Sequence, residues 1–122
     1  MTTIHGVAKE EWADFLRAFS RRNHDRRARF EFFEKSGVRG EEQEGHLESV
    51  TVESDGADAP RVRVKRRDES GPEPRPMSRT ISSVRRISVQ LDTDGSEDAL
   101  EIEDTHGALV MLRMESKVDG AS

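Results

Sequence analysis

Four basic residues at every second position, Arg61, Arg63, Lys65 and Arg67, form the strongest chemical pattern in the sequence. Alternate side chains of a strand share a face, so these four present a row of cations while Val62 and Val64 face the other way. Such a row suits a polyanion. Four phosphate contacts would make log affinity fall against log salt with a slope of about −3.6. Arg86, in the run Arg85-Arg86-Ile87-Ser88, extends the candidate surface. The same row has a second use, because charge is sorted along the chain: net +3 over residues 1–40, −7 over 41–60, +6 over 61–90 and −7 over 91–122. Basic strands beside acidic ones form cross-strand pairs worth about 0.2–1 kcal/mol each, and these help to fix register. The chain lacks tyrosine and its aromatic residues end at Phe33, so the basic strand has no base-stacking platform. Arg61, Arg63, Lys65, Arg67 and Arg86 are therefore the candidate partner surface, with an internal charge ladder as the competing reading.

Other chemistry is harder to place. The four histidines, His5, His24, His46 and His106, are far apart and none has the spacing of a helical or strand-borne metal pair. Glu101 and Glu103 share one strand face, but a glycosidase-type pair also needs a cleft between its carboxylates. No G-x-S-x-G elbow surrounds a serine, and there is no Walker A or G-x-G-x-x-G loop. Gly37-Val38-Arg39-Gly40 has the form of a KH-type G-x-x-G loop, which must join two helices, whereas strands are expected on both sides here. With no cysteine in the chain, disulfides, thiolate metal sites and cysteine nucleophiles are excluded. No catalytic, cofactor-binding or metal-ligating residue is assigned, and the expectation is a protein that is not an enzyme and takes no cofactor.

The elements that must carry these residues follow from periodicity. Trp12, Phe15, Leu16 and Phe19 lie at i, i+3, i+4 and i+7, one face of a helix, which is expected from about Ala8 to Arg22 with acidic residues early and arginines late, as the helix dipole prefers. The period then changes to two. Ala28, Phe30 and Phe32 mark a first strand, and a glycine-marked loop follows over Lys35–Glu44. Leu47, Val50 and Val52 mark a second strand, in which Leu47 is out of phase and implies a bulge. A turn at Asp55-Gly56 leads to Val62 and Val64. Three prolines, Pro72, Pro74 and Pro76, make 68–76 an extended, flexible loop. Ile87, Val89 and Leu91 form a further strand, with Ile81 and Val84 before it in a bent or separate piece. Leu100 and Ile102 pair with Leu109–Met114 in a final hairpin.

The 122 residues make one domain by length. The expected organisation is a loose N-terminus at 1–7, a single α+β domain at 8–115 and a loose tail at 116–122. The fold class is an N-terminal helix followed by five or six antiparallel strands, either an open sheet or a small closed barrel. With net charge −5, no signal-peptide pattern and no apolar run near 20 residues, the chain reads as a cytoplasmic protein without a membrane span.

Glu11-Trp12, Phe15-Leu16, Phe19-Ser20-Arg21 and His24, with Ala99-Leu100-Glu101-Ile102-Glu103 and Leu112-Arg113 near the end, resemble a bacterial family known as domain of unknown function 5335. The resemblance covers nearly the whole chain and implies a small bacterial protein without an assigned activity. A helix followed by five strands is also similar to the SH3 and Sm barrels, at the level of the fold alone. The expected function is a non-enzymatic interaction or accessory protein that binds an unknown protein or itself. A nucleic-acid-binding module using the basic strand is the alternative, disfavoured by the missing aromatics.

Overall fold

The structure, a computed structural model, describes residues 3–34, 37–41 and 44–115. Strand β1 (Thr3–Val7) leads through one turn of 3-10 helix (Lys9–Glu11) into α1 (Trp12–Arg22). Eight more strands follow: β2 (Arg27–Glu34), β3 (Gly37–Glu41), β4 (Gly45–Glu53), β5 (Arg61–Asp68), β6 (Arg75–Ile81), β7 (Val84–Leu91), β8 (Glu97–Asp104) and β9 (Leu109–Met114). Every pairing is antiparallel. The sheet runs β1-β7-β8-β9-β2-β4-β5-β6, with β3 beside the second half of β2. It is an open α+β sheet whose two end strands are β1 and β6.

The helix anchors the core as its spacing predicts. Trp12, Leu16 and Phe19 are buried, and Phe15 packs partly against them. Each such side chain contributes about 1.5–3 kcal/mol on burial. The Trp12 indole N–H donates to the Val7 carbonyl at 2.9 Å, which ties the end of β1 to the start of the helix. Phe30, Val50, Val62, Val64, Ile87, Leu100, Ile102 and Leu112 join the same cluster.

One connection forces the sheet to curl around that cluster. β6 ends at Ile81 and β7 begins at Val84, yet the two strands stand six places apart in the sheet. A flat sheet would separate them by roughly 29 Å at about 4.8 Å per strand, while three Cα steps span at most about 11 Å. The crossing is fastened by Ser83 N–H to Asp58 O (2.7 Å), Val84 N–H to Pro60 O (2.9 Å) and Thr105 N–H to Ser83 O (2.9 Å).

β4 is where the helix meets the sheet. The register shift between Leu47 and Ser49 is the bulge expected from the phase of Leu47. Only the first two residues of β4 pair with β2, so the rest of that edge needs another cover. Ser20 supplies part of it: its Oγ accepts from Val50 N–H (2.8 Å), and its one proton lies between Leu16 O (2.7 Å) and Val50 O (3.1 Å). Gly45 lies at the crowded start of this strand, where a Cβ would come within 3.2 Å of the Arg66 Cβ and 3.3 Å of the Arg67 carbonyl.

Several expectations are corrected. Among the described residues there are nine strands, not five or six, and the helix follows a strand rather than preceding them all. Thr3–Val7, expected as a loose end, pairs along its whole length with β7. It has no alternating apolar pattern because it is an edge strand, and its conformation comes from that pairing. Gly37–Glu41, inside the expected 35–44 loop, forms β3 by pairing with β2, so tertiary pairing overrides the glycines. β6 begins at Arg75 with Pro76 inside it, a position open to proline because β6 is an edge. The loop expected over 68–76 is fastened where it leaves β5: the Asp68 carboxylate accepts from Ser70 N–H (2.9 Å), Ser70 Oγ (2.7 Å) and Arg75 (2.8 Å). The barrel alternative gives way to an open sheet. The tail expected at 116–122 lies outside the described residues.

Candidate interaction surface

β5 places Arg61, Arg63, Lys65 and Arg67 on one face and buries Val62 and Val64 on the other. Four of the five candidate cations meet carboxylates of their own chain. Arg61 donates to Glu53 (3.1 Å) and to the Asp55 carbonyl (2.9 Å). Arg63 reaches the other oxygen of Glu53 at 3.1 Å. Arg67 is shared by Asp25 (2.8 Å), Glu69 (2.7 Å) and Glu48 (3.6 Å). Its hydrogen bonds to Asp25 and Glu69 push the guanidinium pKa up, and the bond from Arg67 holds Asp25 below the ordinary carboxylate range. Arg86 lies far from these, on β7, where it shares Glu103 (2.6 Å) with Arg85. Those two arginines, Arg85 first, lower the Glu103 pKa.

Lys65 differs. It is exposed, it stands between Ser49 on β4 and Ser78 on β6, and no carboxylate among the described residues lies within ion-pair distance. The structure thus gathers Arg61, Arg63, Lys65 and Arg67 on one strand face, leaves Arg86 apart, and keeps one of the five cations uncompensated.

The inward row of β5 holds two residues that alternation alone did not single out. Arg66 is 1% exposed, donates to the Ala28 carbonyl at 3.0 Å and stacks 4.6 Å from the centre of the Phe30 ring. Asp68 is also buried. The bonds from the Ser70 N–H, the Ser70 hydroxyl and Arg75 depress its pKa to about 2. Both are in phase with Val62 and Val64, which is the signal that was available.

Around the Arg67 cluster, His46 places Nδ1 3.0 Å from the Asp25 carbonyl and Nε2 3.3 Å from Glu69. Asp25 has φ +68°, a left-handed conformation that Asp tolerates better than most residues. Arg27, His46, Asp68 and Ser70 border a shallow cavity of about 270 Å³ there. Asp68 and Ser70 are hydrogen-bonded to each other, whereas Arg27 lies 3.9 Å from Glu115. Among the described residues, no group of three or more His, Asp or Glu side chains is placed to hold a metal ion, and no helix is long and apolar enough to cross a membrane.

The two ends of the sheet differ as docking edges. β6 carries Arg75, Arg79 and Pro76, the residue types that block edge-to-edge pairing. β1, with sequence Thr-Ile-His-Gly-Val, contains no Asp, Glu, Lys, Arg or Pro. Ile4, on β1, is 59% exposed, the one large hydrophobic residue so exposed among the described residues. Nothing in the sequence pattern pointed to it, since a single isoleucine near the start has no period.

No family model, no curated protein and no solved structure matches the chain. The resemblance to family 5335 accordingly transfers no residue role to these positions.

Proposed function

We propose that this chain is a non-enzymatic interaction domain that associates with a second copy of itself by pairing β1 with β1 across the open end of the sheet. The observation that carries the reading is the bare edge: a charge-free, proline-free strand with Ile4 exposed, in a chain where 37% of residues are charged. An unprotected edge offers unpaired N–H and C=O groups to another strand.

The occupant is a second copy because an antiparallel edge is complementary to itself about a two-fold axis. If all five residues of each strand pair, the axis passes through His5, and Ile4 of one copy faces Gly6 of the other. A Cβ added at Gly6 would meet nothing within 4 Å, so that side is open to receive the isoleucine. One five-residue strand is a small junction. It falls well below the roughly 1,600 Å² of a standard interface, which places the affinity at about micromolar or weaker. Cytoplasmic placement belongs to the same proposal.

The nucleic-acid alternative finds less support. With Arg61, Arg63, Arg67 and Arg86 engaged by carboxylates, Lys65 alone would give a salt slope of about −0.9 rather than −3.6.

Sedimentation of the full chain from low to high micromolar concentration tests the reading. The wild type should move from monomer toward dimer, and Ile4→Lys should stay monomeric with an unchanged circular dichroism spectrum. A wild type that remains monomeric throughout, or an Ile4→Lys variant that dimerises equally well, would overturn it.

A further inference from the structure

We infer that the groove between α1 and the free edge of β4 is a second binding site, and that it takes an extended acidic peptide segment. The inference stands apart from self-association at β1 and uses a different part of the sheet.

The groove has a volume of about 330 Å³, within the range of ligand clefts, about 300–1,000 Å³. Its apolar lining is offered by Ala13 and the partly exposed Val52, beside the buried Val50. Arg17 and Arg21 stand on the helix rim, with Ser49 and Thr51 on the strand rim. Ala13, Arg17 and Arg21 are spaced at i, i+4 and i+8, so they follow one ridge along the helix.

Two observations select the occupant. The first concerns backbone groups. The Ser20 hydroxyl faces both backbone groups of Val50 on the groove side, accepting from its N–H at 2.8 Å and lying 3.1 Å from its carbonyl, so Val50 and Val64 form a pair that exchanges no ladder hydrogen bonds with each other. Antiparallel pairs alternate, so Val52, opposite Val62, also turns its N–H and C=O toward the groove. Ser20 does not reach these groups, and no hydrogen bond to Val52 from the groove side is found among the described residues. They are available to an added strand. A ligand without a peptide backbone would leave that donor and acceptor unused.

The second is charge. Arg21 has no carboxylate within ion-pair distance among the described residues, in a protein where most arginines do. Among the described residues Arg17 is held only by Asp14, at 3.3 Å, with both side chains well exposed; such pairs contribute about 0–1 kcal/mol and exchange readily. Lys65, the uncompensated member of the basic row, lies directly across the strand from Ser49. The groove is therefore flanked by Arg21 on the helix side, and Lys65 stands one strand behind its other rim, although the whole chain carries a net charge of −5. Carboxylates at alternate positions of an extended segment would meet these cations, while small aliphatic side chains between them would rest on Ala13 and Val52.

Fluorescence anisotropy with a labelled peptide of alternating Glu and Val is the test, beside a Lys/Val peptide of equal length and a single-stranded oligonucleotide. The Glu/Val peptide should bind. Its affinity should drop about tenfold in Arg21→Glu and in Lys65→Glu, equivalent to about 1.4 kcal/mol each, and stay unchanged in Arg86→Glu. Both substituted side chains are exposed, and matching thermal melts would confirm intact folds. N-methylation of alternate amides in the peptide should abolish binding if a strand is added at Val52. Equal binding of the Lys/Val peptide, or indifference to Arg21→Glu, would overturn the inference. So would an oligonucleotide that outcompetes the peptide for the groove. Ile4→Lys leaves this groove intact, so the acidic peptide should bind that variant as well as the wild type, which separates failure here from failure of the β1 proposal.

Discussion

Arg63 and Arg66 sit three residues apart on β5, yet the strand uses them in opposite ways. Arg63 faces outward and rests 3.1 Å from Glu53, a carboxylate it shares with Arg61, in contact with water on both sides. Arg66 faces inward in the row of Val62 and Val64, with its guanidinium against the Phe30 ring and its proton on the Ala28 carbonyl. Water screens the first interaction and makes it replaceable. The second is shielded, and a buried cation is tolerable only because its hydrogen bonds and ring contact are in place. Residue type therefore says little about what an arginine contributes; the face of the strand decides it.

The largest expected effect comes from emptying the inward position. Arg66→Ala removes the donor to Ala28, the stacking on Phe30 and a large buried volume together, and should cost about 3 kcal/mol or more in urea denaturation. Arg66→Met sharpens the result. It refills most of the space but loses the guanidinium's bond to the Ala28 carbonyl, which keeps Gly45 opposite it in the ladder, and the contact with Phe30, so about 1–3 kcal/mol of loss should remain. An Arg66→Ala variant as stable as wild type would mean that the inward face is no different from the outward one.

The same strand shows how far the sequence could be read. Alternation assigned the outward row correctly, because Val62 and Val64 set the phase. It was silent on Arg66 and Asp68, since the rule that inward positions are apolar gives no reason to place an arginine and an aspartate there. The partners that make their burial affordable, Phe30 and the Ala28 carbonyl on β2, Ser70 in the next loop and Arg75 at the start of β6, are brought together only by tertiary structure. The helix and six strands were visible for the same reason: each has its own apolar period. β1, β3 and β6 have none and owe their conformation to a neighbour. Of the candidate surface, the row on β5 was legible as a row, but its compensation by Asp25, Glu48, Glu53 and Glu69 depends on chain crossings that periodicity does not encode. Arg21 gave no signal, because an exposed helical arginine becomes notable only when the groove beside it is known.

Asp68 offers an intermediate effect with a distinct signature. Its pKa is held near 2 by the Ser70 amide and hydroxyl and by Arg75, against an ordinary aspartate value of about 3.9. A carboxyl depressed on folding stabilises the native state above the unfolded pKa, and that contribution fades as pH falls through the folded value. The wild type should therefore lose stability between about pH 4 and pH 2. Asp68→Asn should be less stable at neutral pH and show a shallower decline over that acidic window, read from denaturant midpoints at each pH. An unchanged slope would show that the buried carboxylate is not what links β5 to the loop.

Arg63 should give the smallest effect. Removing it leaves Glu53 still paired with Arg61 at 3.1 Å, so no carboxylate is stranded, and Val62 and Val64 remain in register with Val52 and Val50. Arg63→Ala should cost less than about 0.5 kcal/mol in low salt. The coupling between Arg63 and Glu53 in a double-mutant cycle should lie near 0.2–1 kcal/mol and shrink as salt is added, because exposed charges are screened. A loss approaching that of Arg66→Ala, or one indifferent to salt, would require the outward row to be shielded by something bound over it. The place to look would then be the neighbouring groove, where Thr51, directly across from Arg63, forms part of the rim.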